Sequence, residues 1–122
     1  MPVPILKQGD TLIASVVSAL TDDDLIQLRD DLAKRIGEVR ARSVVIDVTA
    51  LDVLDSFATR TLRGIAYTAR LRGAETCVVG IQPEVGFAMV QLGLTMEGVS
   101  TALDLEAGLA VLAAKKRGAH PR

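Results

Sequence analysis

Two short runs, SVVIDV at 43–48 and GAETCVVGI at 73–81, are almost continuously apolar and bounded by polar or turn-forming residues. A strand that alternates apolar and polar residues leaves one face wet, whereas one that stays apolar has to be covered on both. Between the runs, from Ser56 to about Leu71, the residues Ala58, Leu62, Ile65, Ala66 and Ala69 recur as one stripe at helical spacing. Arg60, Arg63 and Arg70 lie largely off that stripe. Strand, helix and strand of this kind imply a parallel pair joined by a crossover helix, and hence a layered α/β domain.

The flanking segments extend the same pattern. PILK and TLIASVV read as two strands of a hairpin, with QGD as the turn and Gly9 free to adopt positive φ. TDDDLIQLRDDLAKRIGEVRAR follows as an amphipathic helix built on Leu25, Leu28, Leu32, Ile36 and Val39. Thr21 and Asp24 are spaced as a capping box with a shortened acid, and Asp22 and Asp23 sit where the helix dipole favours negative charge. Pro83 opens a short third helix that Gly93 ends, GVSTA is a last short strand, and DLEAGLAVLAAKKR is a final helix with acids first and bases last. The expected order is β-β-α-β-α-β-α-β-α: an N-terminal hairpin joined to a mainly parallel central sheet of 4–5 strands, flanked by about four helices. One domain is expected over residues 1–114, with 115–122 a basic tail that frays.

Composition then narrows the function classes. At 122 residues and 49% hydrophobic content the chain has enough apolar material for one buried core. No apolar run reaches the roughly 18–20 residues of a membrane span and no signal-peptide pattern opens the chain, so a soluble, cytoplasmic protein without a membrane partner is expected. A net charge of −1, no tryptophan, one tyrosine and two phenylalanines argue against a nucleic-acid partner, which calls for a basic face or stacking platforms. The single cysteine, Cys77, lies inside an apolar strand and reads as inert packing. The single histidine, His120, lies in the terminal KKRGAHPR, and no metal or other cofactor is expected.

In an open α/β sheet the functional rim lies beyond the carboxyl ends of the strands. Two turns should meet there, TALDVLDS and GIQPEV. Ser56 falls on that rim with Asp55 before it and Phe57 after it. Asp55 is able to cap the helix, which leaves Ser56 at the first helical position with its hydroxyl free. From position alone, DS reads first as a good helix start. A nucleophilic serine would need a base and an oxyanion hole, and neither a nearby histidine nor a G-x-S-x-G elbow is present. A phosphate acceptor needs only an exposed hydroxyl. No Walker loop and no G-x-G-x-x-G occurs, and Asp47, Asp52 and Asp55 read better as turn and cap acids than as a metal or phosphotransfer set.

The hairpin together with VVIDVTALDVLDSFATRTL, ARLRGAETCVVGIQPEV and VQLGL…GVSTALDLEAGL resembles a STAS domain, from about Pro2 to Leu112. Within that family PILKQGDTLIASV, GIQPEV and TALDLE look closest to the RsbS type of stressosome antagonist. The resemblance implies a non-enzymatic stress-signalling scaffold that holds an RsbT-like serine/threonine kinase and assembles with RsbR-like STAS paralogues, with room for self-association. It implies that Ser56 is the phosphorylated residue, that Asp55 caps the helix beside it, and that Leu54, Phe57, Arg60, Gln82 and Glu84 face a partner. RsbR-type chains usually carry a second threonine after the GIxP turn. Here Ala88 and Met89 stand in that stretch, which favours the RsbS type, as does the expected lack of an N-terminal sensory domain. Thr59 and Thr61 are expected to be helix-face residues. The other readings are a free SpoIIAA-type anti-anti-sigma factor using the same serine, and a nucleotide-binding α/β module using the acidic rim.

Overall fold

The computed structural model describes residues 3–17 and 20–118. Its elements follow the expected order: β1 Ile5–Gln8, β2 Thr11–Ser15, α1 Asp22–Val39, β3 Ser43–Asp47, α2 Ser56–Leu71, β4 Glu75–Val79, α3 Pro83–Gln91, β5 Ser100–Ala102 and α4 Leu105–Gly118. They form a five-stranded sheet in the order β1-β2-β3-β4-β5, with β1 antiparallel to β2 and every other pair parallel. Gly9, at φ 61°, makes the hairpin turn.

Why the central strands are apolar throughout is visible in how their residues divide between two layers. Leu12, Ala14, Val44, Ile46 and Val78 pack with the stripes of α1 and α2 and with Val85 and Met89 of α3. The alternate residues Ile13, Val45, Cys77 and Val79 pack on the other face with Leu112 of α4, assisted by Leu105 and Leu109. Each strand therefore buries both of its faces.

Local chemistry sets the helix ends. Thr21 accepts from the Asp24 amide at 3.1 Å while the Thr21 amide donates to the Asp24 carboxylate at 3.1 Å, the reciprocal capping box. Those contacts, the Thr21 amide first, hold the Asp24 carboxyl below its ordinary value. At the other end Arg40 adopts the left-handed conformation at φ 53°. Gly73, at φ 86°, turns the chain out of α2 and into β4.

One boundary differs from expectation. The last helix does not fray at Lys115: α4 continues through Gly118, with Lys115, Lys116 and Arg117 in its final turn. Cations there complement the helix dipole. In addition Lys116 Nζ donates to Asp10 Oδ1 at 2.6 Å and Lys115 approaches Glu75 at 3.9 Å, so the basic residues are tied to the amino-terminal ends of β2 and β4. His120 lies outside the described residues. Among the described residues no helix is long and apolar enough to cross a membrane.

Candidate functional site at the Ser56 rim

The loops after β3 and β4 meet, as their position at the strand ends requires, and each is locked before it reaches the helix that follows. Asp47 closes the first turn by accepting from the Thr49 amide at 2.9 Å and the Thr49 hydroxyl at 2.6 Å. The Val48 amide donates to the Val79 carbonyl at 3.0 Å, and Gln82 Nε2 donates to the Thr49 carbonyl at 2.6 Å. Gly80 crosses Thr49 at φ 81°, and a Cβ built on it would collide with the Thr49 hydroxyl. Only glycine meets both demands at that crossing.

From this clamp the chain descends through Leu51 and Leu54, both in the core, to the start of α2. Asp55 is the N-cap: its Oδ1 accepts from the Ala58 amide at 2.8 Å and its carbonyl accepts from the Thr59 amide at 2.9 Å. With the cap supplied by its neighbour, Ser56 begins the helix exposed to solvent, and its hydroxyl has no hydrogen-bond partner among the described residues. Phe57 is half-buried against the core. Arg60 is exposed one turn further on, and Glu84 is exposed in the first turn of α3.

Leu54 requires a correction. It is 5% exposed and packs in the core, so it offers nothing to a partner; Val53 beside it is 71% exposed and is the apolar side chain this loop presents. The loop has no period from which to tell which of two adjacent apolar residues turns inward. Phe87, 68% exposed on α3, is a second surface apolar residue that the sequence reading passed over. Its signal is its place in PEVGFAMVQ: Val85 and Met89 form the buried stripe, and position 87 falls opposite.

The acids around the rim do separate work. Asp47 serves a turn and Asp55 a cap, while Asp52 is exposed. Thr59 is 1% exposed with a buried, unpartnered hydroxyl. Thr61 donates to the Phe57 carbonyl at 2.8 Å. Both threonines are therefore turned from the role open to Ser56. Of the two residues where a second acceptor would stand, Ala88 is exposed and Met89 buried. Cys77 is fully buried, and burial raises the pKa of its thiol, which keeps it in the unreactive form.

The STAS domain family model matches residues 3–107. The RsbT co-antagonist protein RsbRC of Bacillus subtilis (strain 168) is 31% identical over 108 residues, which is 88% of this chain and 34% of that protein. The chain thus spans about a third of the length of that relative. Among solved structures, a serine-to-glutamate variant of RsbS from Moorella thermoacetica is similar at a TM-score of 0.81 and 36% identity, over 94% of this chain and 97% of that one. A chain from the stressosome, described there as a signal integration and transduction hub, is similar at a TM-score of 0.76 and 37% identity, over 93% and 99%.

Proposed function

We propose, from the premise that this chain belongs to the STAS domain family, that it is a non-enzymatic switch of the RsbS type whose written residue is Ser56. In this reading it acts in the cytoplasm within a stressosome-like assembly of STAS proteins. Unmodified, it sequesters an RsbT-like serine/threonine kinase; phosphorylated on Ser56, it releases that kinase to a downstream branch. The similarity to RsbS over nearly the whole of both chains supports the type. The observation that carries the residue is the exposed Ser56 hydroxyl, left without a partner because Asp55 has taken the cap.

The chemistry of that corner explains why phosphate would switch a partner rather than unfold the domain. A phosphoserine adds about −1.5 to −2 charge near neutral pH. At the first position of a helix the dipole and the free amides accommodate it. A partner docked across Val53, Phe57, Arg60, Gln82 and Glu84 would instead have to desolvate a dianion beside Asp52 and Asp55, which opposes rebinding.

The deciding experiment is phosphotransfer. The chain is incubated with an RsbT-like kinase and ATP, the product mapped by peptide mass, and Ser56→Ala run alongside. Phosphate on Ser56, absent from the variant and accompanied by loss of kinase binding, is the expected outcome. An active kinase that leaves Ser56 unmodified would sink the proposal and reduce Asp55-Ser56 to a helix start.

A further inference from the structure

Because β2, β3 and β4 lie parallel, α1 and α2 both run away from the Ser56 rim and end together at the opposite edge of the sheet. Three arginines meet there: Arg40 as the C-cap of α1, Arg72 as the C-cap of α2, and Arg42 just before β3. All three line one open groove of about 450 Å³ together with Gly37, Ala41 and Gly73, and no carboxylate lines it. Each is exposed, and among the described residues none has a hydrogen-bond or ion-pair partner for its guanidinium.

The acids beside the groove are engaged elsewhere. Asp10 feels the charge of Arg42, but its carboxylate accepts from Lys116 at 2.6 Å. Glu75 stands 3.8 Å from Arg70 and 3.9 Å from Lys115. Helix ends explain why cations collect at this edge, yet not their number. The carboxyl end of a helix is equivalent to about half a negative charge, so two such ends offset about one guanidinium and leave a surplus of about two.

Two local features favour the guanidinium groups over the helices that carry them. Arg40 sits at φ 53°, in the left-handed conformation that a helix end ordinarily gives to glycine. Gly37 lies inside α1, where alanine would suit the helix better. A Cβ built on Gly37 would stand 2.8 Å from Arg72 Nη1, so the missing side chain leaves the space in which that guanidinium lies against α1. The backbones are pinned as well. The Arg40 amide donates to the Ile36 carbonyl, the Arg42 amide to the Asp10 carbonyl at 2.8 Å, and the Arg72 amide to the Ala69 carbonyl at 3.0 Å.

A planar guanidinium presents paired N–H donors that match the oxygens of a phosphoryl group, and three of them around one groove reach more oxygens than a single phosphate offers. We propose that the Arg40–Arg42–Arg72 groove binds a compact anion of two linked phosphoryl groups, either free as pyrophosphate or as the end of a diphosphate ester. The site lies at the opposite end of the sheet from Ser56 and needs neither a kinase nor phosphate on that serine.

Titration of the full chain with pyrophosphate, followed by amide NMR shifts with chloride adjusted to hold ionic strength constant, tests this. The expected result is saturable shifts at Gly37, Arg40, Arg42, Arg72 and Gly73, unmoved amides around Ser56, and a dissociation constant at or below about 1 mM. ADP titrated in parallel separates the two sources: whichever binds tighter shows whether the free anion or the ester is the better fit. Arg72→Ala should weaken pyrophosphate at least about fivefold. Arg40→Gly should do the same at an equal or higher melting temperature, since glycine relaxes the left-handed backbone, so unfolding does not account for the loss. Shifts that never saturate, shifts centred on Lys115–Arg117, or an affinity unmoved by both substitutions would overturn the proposal.

Discussion

Asp55 and Ser56 divide between them what one residue does at most helix starts. The carboxylate of Asp55 holds the Ala58 amide at 2.8 Å, and the serine hydroxyl is left over. The two should therefore respond differently to the same truncation. Asp55→Ala removes a cap and is expected to lower stability by about 1 kcal/mol. Ser56→Ala removes an exposed, unpartnered hydroxyl and should stay within about 0.5 kcal/mol of native. Denaturant midpoints for the pair read this directly, and a Ser56→Ala loss as large as that of Asp55→Ala would show that the serine is the cap. This division was legible in the sequence, because an acid directly before a serine at a strand-to-helix corner has few other uses. The inward turn of Leu54 was not: LDVLDS has no repeating period, and which apolar residue is buried follows from where Leu51 and Leu54 meet the α1–α2 layer.

The elements that carried a clear period were legible to within a residue or two. The stripe of α2 is buried as written and that of α1 is buried as far as Ile36, Val39 being only partly buried against the core, and the central strands bury both faces as their unbroken apolar character requires. The reach of α4 beyond residue 114 was not legible, because KKR reads equally as a solvated tail until Asp10 and Glu75 are seen facing it. What joins elements is likewise a matter of tertiary approach. Gly80 shows this best, since its need for glycine arises both from φ 81° and from the Thr49 side chain that crosses it. Gly80→Ala is expected to cost at least about 1–2 kcal/mol from backbone strain alone, with the collision added to it. Adding Thr49→Ala to Gly80→Ala should recover the collision part and leave the strain, so the double variant melts above Gly80→Ala and below Thr49→Ala. A double variant no more stable than Gly80→Ala would place the whole cost in the backbone.

At the scale of the molecule, the contact between Asp10 and Lys116 closes the chain on itself across 106 residues, joining the hairpin turn to the last helix. Its contribution should be small, because the two side chains are 44% and 32% exposed and α4 is already held by Leu105, Leu109 and Leu112. It has nonetheless a distinct pH signature. The hydrogen bond from Lys116 is the first cause holding the Asp10 carboxyl below its ordinary value of 3.8. A carboxyl whose folded pKa is depressed binds protons more readily unfolded, so its stabilisation is complete above the unfolded value and is lost as pH falls through the folded one. Lys116→Ala should therefore lower stability by at most about 1 kcal/mol at neutral pH. The difference from native should shrink as the pH falls below 3.8, and high salt should shrink it at neutral pH. Thermal melts of the two proteins across that range measure it. A difference that stayed constant into acid would mean that Lys116 acts through the packing of its aliphatic stem, with its charge contributing nothing.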